Sequence, residues 1–245
     1  MIKTHGIIIG IIPYSESSLI LKVQSRDIAH VSIIAKGWRK KPDPLLRFCE
    51  YEFGLFEPKE EGLYLLKEAD LLQDYSRYPT TSTWAAAEAG AELISKILIP
   101  ASEAQLYYEI LQKYLVYLQK LETNGILIFW RLFMRLLKLM GIEPDLSSCG
   151  MCGEPAPAYA FNGSAEIICR DCYVALNNRE QYYALSRKAR DILALLPEIG
   201  MHLCEAEPSQ EVVGELNRLF LAYYTAHQKQ TPKLKSLSVL SQFYN

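Results

Sequence analysis

Four of the six cysteines fall as Cys149-Gly-Met-Cys152 and, after sixteen intervening residues, Cys169-Arg-Asp-Cys172. Two CxxC pairs at such a separation are the ligand pattern of a structural zinc site, in which each tight turn aims two thiolates at one ion and the second pair completes a tetrahedron. Gly150 and Gly153 give the first turn its backbone freedom, whereas the second must bend on Arg170 and Asp171. Four thiolates leave no coordination position open for water, so one Zn2+ per chain is expected to hold structure rather than do chemistry. Two disulfides, four unrelated buried thiols and an iron–sulfur cluster are the alternatives, and paired knuckles favour zinc. Cys49 and Cys204 are left over and read as ordinary buried thiols.

The second chemical feature is a run of cations. From Lys22 to Arg47 there are seven basic residues (Lys22, Arg26, Lys36, Arg39, Lys40, Lys41, Arg47) against two acidic ones, an excess of +5 in a chain whose formal charge is −2. Cations grouped this way around an aromatic, Trp38, suit a phosphate backbone and a stacked base. A solvated hairpin loop with Trp38 packed on its own barrel is the other reading. Other chemistry is missing: there is no Gly-rich phosphate loop, HExxH or GxSxG. His5, His30, His202 and His227 have no partner by spacing, and no H-x-E precedes the cysteines as a zinc deaminase needs. Glu57, Glu60 and Glu61 read as a solvated turn. A binding protein is expected, not an enzyme.

The elements that must position these residues are legible from period. Gly6–Ile12, Ser18–Ser25, Ala29–Ala35, Phe48–Phe56 and Gly62–Leu72 read as five short strands, which fits an OB-fold barrel. After Tyr78-Pro79 the period becomes helical, placing a domain boundary near residue 80. Thr80–Leu98 is one helix, and Ser102-Glu-Ala-Gln105 has the form of a capping box opening another to about Leu121. Ile126–Met140 is apolar around most of its circumference and stops at Gly141 in the C′ position. Its charges, Arg131, Arg135 and Lys138, share one stripe that could meet phosphates or an acidic peptide. Pro144, Pro155 and Pro157 suggest a loop-like cysteine segment. Helices follow at Ser186–Leu196 and Ser209–Ala226, and a short one at Leu237–Phe243. With half the residues apolar and no signal peptide or membrane span in the sequence, the expectation is a soluble cytoplasmic protein associated with the nucleoid.

Taken in order, the segments resemble the RecO family of bacterial recombination mediators. The resemblance rests on Gly6-Ile-Ile-Ile, Tyr14-Ser-Glu16-Ser, Ile34-Ala-Lys-Gly-Trp-Arg-Lys40, Gly141-Ile-Glu-Pro-Asp-Leu146 before the first cysteine, Phe161-Asn-Gly163 before the second pair, and Leu234-Lys-Ser-Leu237. It implies an α+β multidomain chain: an N-terminal OB-fold β-barrel (1–79) and an α-helical domain (80–245) with an inserted four-cysteine zinc module at about 145–180. It implies binding of single- and double-stranded DNA, annealing of complementary strands and, with RecR, loading of RecA onto strands coated by single-stranded-DNA-binding protein. Lys36, Arg39, Lys40 and Lys41 would contact the backbone with Lys22, Arg26 and Arg47 in support, and Cys149, Cys152, Cys169 and Cys172 would ligate the metal. The family's helical domain meets the C-terminal tail of the single-stranded-DNA-binding protein, for which the Arg131/Arg135/Lys138 stripe is the available surface. Gly163-Ser164 replaces the family's Gly-Gly, and Ser25-Arg-Asp-Ile-Ala-His30 replaces its usual hairpin. The rival readings are an RNA- or transcription-associated zinc-ribbon protein and an adapter that binds no nucleic acid.

Overall fold

Alternation of apolar and polar side chains drives the first third of the chain into strands, because only an extended backbone places every second residue on one face. A computed structural model describes residues 1–58, 62–201 and 207–244. Five strands, β1 (Ile2–Pro13), β2 (Leu19–Ser25), β3 (Ala29–Ala35), β4 (Cys49–Phe56) and β5 (Tyr64–Asp74), close a barrel in the order β1-β2-β3-β5-β4. Neighbours are antiparallel except β3 and β5, which run parallel and pair only at Ile33–Tyr64 and Ile34–Leu65. This is the OB arrangement expected from the sequence. Strand β3 shows its cause most plainly: its residues alternate between buried and half-buried along the whole strand. Inward-facing Ile8, Leu21, Val23, Ile33, Phe53 and Leu55 form the core with Trp38 and Leu45 from the β3–β4 connection. Each fully buried aliphatic or aromatic side chain contributes about 1.5–3 kcal/mol.

Helix α1 (Thr81–Ile94) starts at a reciprocal cap in which the Thr80 hydroxyl accepts the Thr83 N–H at 3.3 Å and the Thr83 hydroxyl accepts that of Thr80 at 3.3 Å. The Ser102 box is not formed. Ser102 lies in a 3-10 turn (Ala101–Glu103), and α2 (Ala104–Leu118) opens without a side-chain cap. Helix α1 also stops short of Leu98, and the Ser95 hydroxyl donates to the Glu92 carbonyl at the break. Helix α2 and most of α1 group with the barrel. One compact unit comprises Met1–Ala87 and Ala91–Glu122, the other Glu88–Gly90 and Thr123–Asn245. The change of period near residue 80 marks where strands give way to helices, while the units divide near residue 122.

A buried carboxylate on β4 ties α2 to the barrel. Glu50, 7% exposed, accepts hydrogen bonds from the Tyr75 hydroxyl (2.7 Å), the Tyr108 hydroxyl and Gln112 Nε2 (3.1 Å). Burial and the adjacent Glu50 carboxylate push both tyrosine hydroxyls well above their ordinary range. His30 on β3 reaches the Ile94 carbonyl at the end of α1, 2.9 Å from Nε2.

In the second unit, α3 (Gly125–Leu139) buries ten of its fifteen residues and acts as the axis. Phe133 packs against Phe129, Phe220 and Tyr224, and Trp130 Nε1 donates to Asn217 Oδ1 at 2.8 Å. The helix ends as expected at Gly141, which adopts φ +70°. Its N–H bonds the Lys138 carbonyl and the N–H of Ile142 bonds Leu137, both at 3.0 Å, giving a Schellman motif. The cysteine segment is not merely loop. It contains β6 (Ala160–Asn162), β7 (Ile167–Ile168), α4 (Arg170–Ala175) and β8 (Tyr182–Ala184), with the strands in the order β7-β6-β8. Helices α5 (Arg187–Leu195, capped by Ser186), α6 (Gln210–Gln228) and α7 (Lys235–Ser241) complete the unit. Glu60, Glu61, His202 and Cys204 lie outside the described residues. Among those described, no helix is long and apolar enough to cross a membrane.

Candidate nucleic-acid surface and four-cysteine cluster

The connection after β3 is a tight cationic turn. Gly37 takes φ +77°, open to glycine at little cost, and Trp38–Lys40 forms one 3-10 turn whose amides at Lys40 and Lys41 bond the Gly37 and Trp38 carbonyls. Lys36, Arg39, Lys40 and Lys41 are all exposed, and no carboxylate pairs with any of them among the described residues. The turn is fastened to the β1–β2 loop, since the Arg39 amide donates to Ser17 O at 3.1 Å and its guanidinium donates to Ser15 O. That single guanidinium bond leaves four of the five donors of the exposed Arg39 without a protein partner among the described residues.

The remaining cations divide. Lys22 is exposed on β2, with Nζ 2.7 Å from Ser32 Oγ. Arg26 lies beside Asp27 at 3.4 Å, so its charge is partly spent. Arg47 is half-buried: Nη2 donates to the Ile9 carbonyl at 2.8 Å, where a bulge in β1 leaves that residue out of register with β2, and the guanidinium stacks on Phe48. It braces the barrel from within. Trp38 corrects the reading of a stacking aromatic. It is only 9% exposed, belongs to the barrel core and carries the Lys41 ammonium 3.3 Å from its ring centroid. Its faces are taken, because a planar apolar ring at the barrel mouth gains more from burial than from water.

The four cysteines converge although the sequence separates the pairs. The Sγ atoms of Cys149, Cys152, Cys169 and Cys172 all lie within 4.8 Å of one another. A tetrahedron with metal–sulfur bonds of about 2.3 Å has edges of about 3.8 Å, so the cluster has the dimensions of a four-thiolate site. Local turns explain the convergence. Gly153 at φ +74° donates to the Cys149 carbonyl at 2.8 Å, closing the first knuckle, and Cys169 caps α4, its sulfur accepting the Cys172 N–H at 3.4 Å. Gly150 N–H ties the first knuckle to Ile167 of β7 at 2.8 Å, and Cys169 N–H reaches Cys149 Sγ at 3.3 Å. Burial pushes the Cys149 thiol up, but the surrounding backbone N–H groups outweigh it and bring it down to about 6. Cys172 is pushed up to about 12 by burial and by its neighbouring thiols. Four thiolates packed this closely repel unless a cation sits among them. All the described cysteines are free thiols, and the convergence of all four sulfurs on one point is the arrangement of a metal site rather than of two separate disulfides.

On α3, Arg131 is half-buried, Arg135 and Lys138 are exposed, and Lys138 pairs with Glu143 at 3.1 Å. Glu143, the partner of Lys138, lines a shallow depression with Met134, Pro144 and Leu193, and none of the three stripe cations lines it. One aromatic that the sequence reading gave no role is Tyr14 in the β1–β2 loop, 62% exposed. Its signal, an aromatic in a serine-rich strand connection, is too common to single out.

Comparison with known proteins agrees with the architecture. The family model for the recombination protein O N terminal matches residues 1–75, and that for the recombination protein O C terminal matches residues 79–238. The DNA repair protein RecO of Acetivibrio thermocellus is 24% identical over 250 residues, covering 98% of both chains. That of an Exiguobacterium species is 26% identical over 246 residues, covering 98% of this chain and 95% of its own, and that of Bacillus pumilus is 23% identical over 257 residues, covering 98% and 97%. An OB barrel with a cationic turn, a helical unit and a four-cysteine cluster stand in the order that both family models span, and the chain belongs to the RecO family of DNA repair proteins.

Proposed function

We propose that this chain is a DNA-binding recombination mediator that holds single- and double-stranded DNA, anneals complementary strands and, with RecR, promotes loading of RecA onto DNA coated by single-stranded-DNA-binding protein. The observation that carries the reading is the exposed turn of Lys36, Arg39, Lys40 and Lys41 on an OB barrel, with no acid paired to it among the described residues. Phosphates would meet these four groups and Lys22, while Arg26 and Arg47 act mainly on the barrel. Arg135 and Lys138, with Arg131 behind them, are the proposed surface for the acidic tail of the single-stranded-DNA-binding protein. No residue is assigned a catalytic role. The four cysteines would hold one Zn2+, chosen over other metals because an all-thiolate tetrahedron with closed coordination suits it. Bound there, the ion would neutralise the thiolates and fix the small sheet.

Salt dependence tests the reading. Four or five phosphate contacts on a single strand give a slope of about −2.8 to −3.5 in log affinity against log salt, or a loss of about 50- to 130-fold between 50 and 200 mM. Arg39 also fastens two loops, so the informative variant is Lys36→Glu/Lys40→Glu, which leaves that bond alone. It should flatten the slope by about 1.4 and weaken all sequences alike. Wild-type slope and affinity in this variant would remove the turn from the interface. Equal affinity for RNA without annealing would favour the RNA-associated reading instead.

A further inference from the structure

With Trp38 enclosed in the barrel, the cationic turn has lost the aromatic that its sequence supplies, and the neighbouring loop provides another. Tyr14 follows β1 and is the most exposed aromatic residue among those described, at 62%. Its ring makes no hydrogen bond, ring stack or cation contact in the described structure. The backbone beneath it is nevertheless firmly held. Tyr14 N–H bonds the Ser18 carbonyl at 3.0 Å, Ser18 N–H bonds Ser15 Oγ at 3.1 Å, and Arg39 donates to the carbonyls of Ser15 and Ser17. An unpartnered ring on a pinned loop costs little entropy to place against a ligand. The adjacent residue, Ser15, accepts the Arg39 guanidinium through its carbonyl, and successive Cα atoms are about 3.8 Å apart, so the loop that carries the ring also anchors the arginine.

We infer that Tyr14 is a base-stacking platform: a nucleobase of a single strand lies on its ring while Arg39 and Lys40 hold the flanking phosphates. This deepens the nucleic-acid reading and rests on it. The ligand class is an unpaired base, because the face of a base within a duplex is already covered by its neighbours. Loops between the first two strands are where OB barrels commonly meet oligonucleotides, and aromatic stacking tolerates any base.

The test compares wild type, Tyr14→Ala and Tyr14→Phe by fluorescence anisotropy on an oligothymidylate and on a blunt duplex, across a salt series, with circular dichroism to check folding. Tyr14→Ala should weaken single-strand binding by about 5- to 150-fold. The salt slope should stay at the wild-type value, because no charge is removed. Duplex affinity should not change, and Tyr14→Phe should bind like wild type. Unchanged single-strand affinity in Tyr14→Ala, beside salt-dependent binding by wild type, overturns the stacking role and spares the cationic turn. Equal losses on strand and duplex, or a Tyr14→Phe as weak as Tyr14→Ala, also overturn it. If wild type binds neither ligand at any salt, the nucleic-acid reading falls first and this inference with it.

Discussion

Glu50 should be worth more to the barrel unit than its charge suggests. Three donors converge on its carboxylate, from Tyr75, Tyr108 and Gln112, and the residue is buried. A hydrogen bond to a charged group contributes about 1.5–3 kcal/mol, and each donor left unsatisfied in a buried site costs about 1–3 kcal/mol. Glu50→Ala strips all three at once, while removing the carboxylate also relieves its own desolvation. The net loss should be about 3–5 kcal/mol, the range found when one partner of a buried charged group is removed. Tyr108→Phe removes one donor and should lose about 1.5–3 kcal/mol. The decisive quantity is the coupling between the two changes, expected at about 1.5–3 kcal/mol because they share one bond. Urea denaturation followed by tryptophan fluorescence in a Trp130→Phe background reads the barrel unit alone, since Trp38 and Trp84 are then the remaining tryptophans. A coupling below about 0.5 kcal/mol would refute the claim that this carboxylate clamps α2 to β4.

Other outcomes follow from single features. Cys169→Ser should abolish stoichiometric zinc, read by elemental analysis against an expected one ion per chain, and destabilise the second unit while leaving the salt slope of DNA binding intact. Burial holds His30 below its ordinary value of 6.5, against the pull of the Ile94 carbonyl. The unfolded chain therefore takes up this proton first: stability is level above pH 6.5 and falls as the pH drops below it, and His30→Gln should flatten that fall. At Gly6 an added Cβ would lie 2.5 Å from Val23 Cγ1 and 3.2 Å from Phe53 Cε2. Gly6→Ala should cost about 1–3 kcal/mol of barrel stability in the same denaturation assay.

Much of this was written in period and spacing. All five barrel strands fall within a few residues of their sequence-based limits, because alternation continues as long as one face is buried. Gly141 and the cysteine knuckles were legible for a related reason: each demands a residue type that little else explains. What stayed hidden depends on partners distant in sequence. Glu50 alternates like any outward-facing strand residue, and nothing local announces two tyrosines and a glutamine waiting for it. Arg47 counts as surface charge until the bulge at Ile9 exposes a carbonyl for it to satisfy. Strands β6, β7 and β8 have two or three residues each, too short to show a period, and prolines at 155 and 157 disguise them. The Thr80 cap lacks the acidic or amide partner that makes such boxes recognisable, whereas Ser102-Glu-Ala-Gln105 has the letters without the bond.

The parallel seam between β3 and β5 bears on how the chain is born. Strands β1, β2 and β3 can zip together as successive hairpins as soon as residue 35 leaves the ribosome, yet both flanks of that meander are bare until β4 and β5 exist. At about 5–20 residues per second, synthesis of residues 36–74 takes about two to eight seconds. During that interval Ile33 and Ile34 display open backbone to any passing extended peptide, so nascent chains stalled there should be the ones that chaperones retain and that aggregate when translation slows.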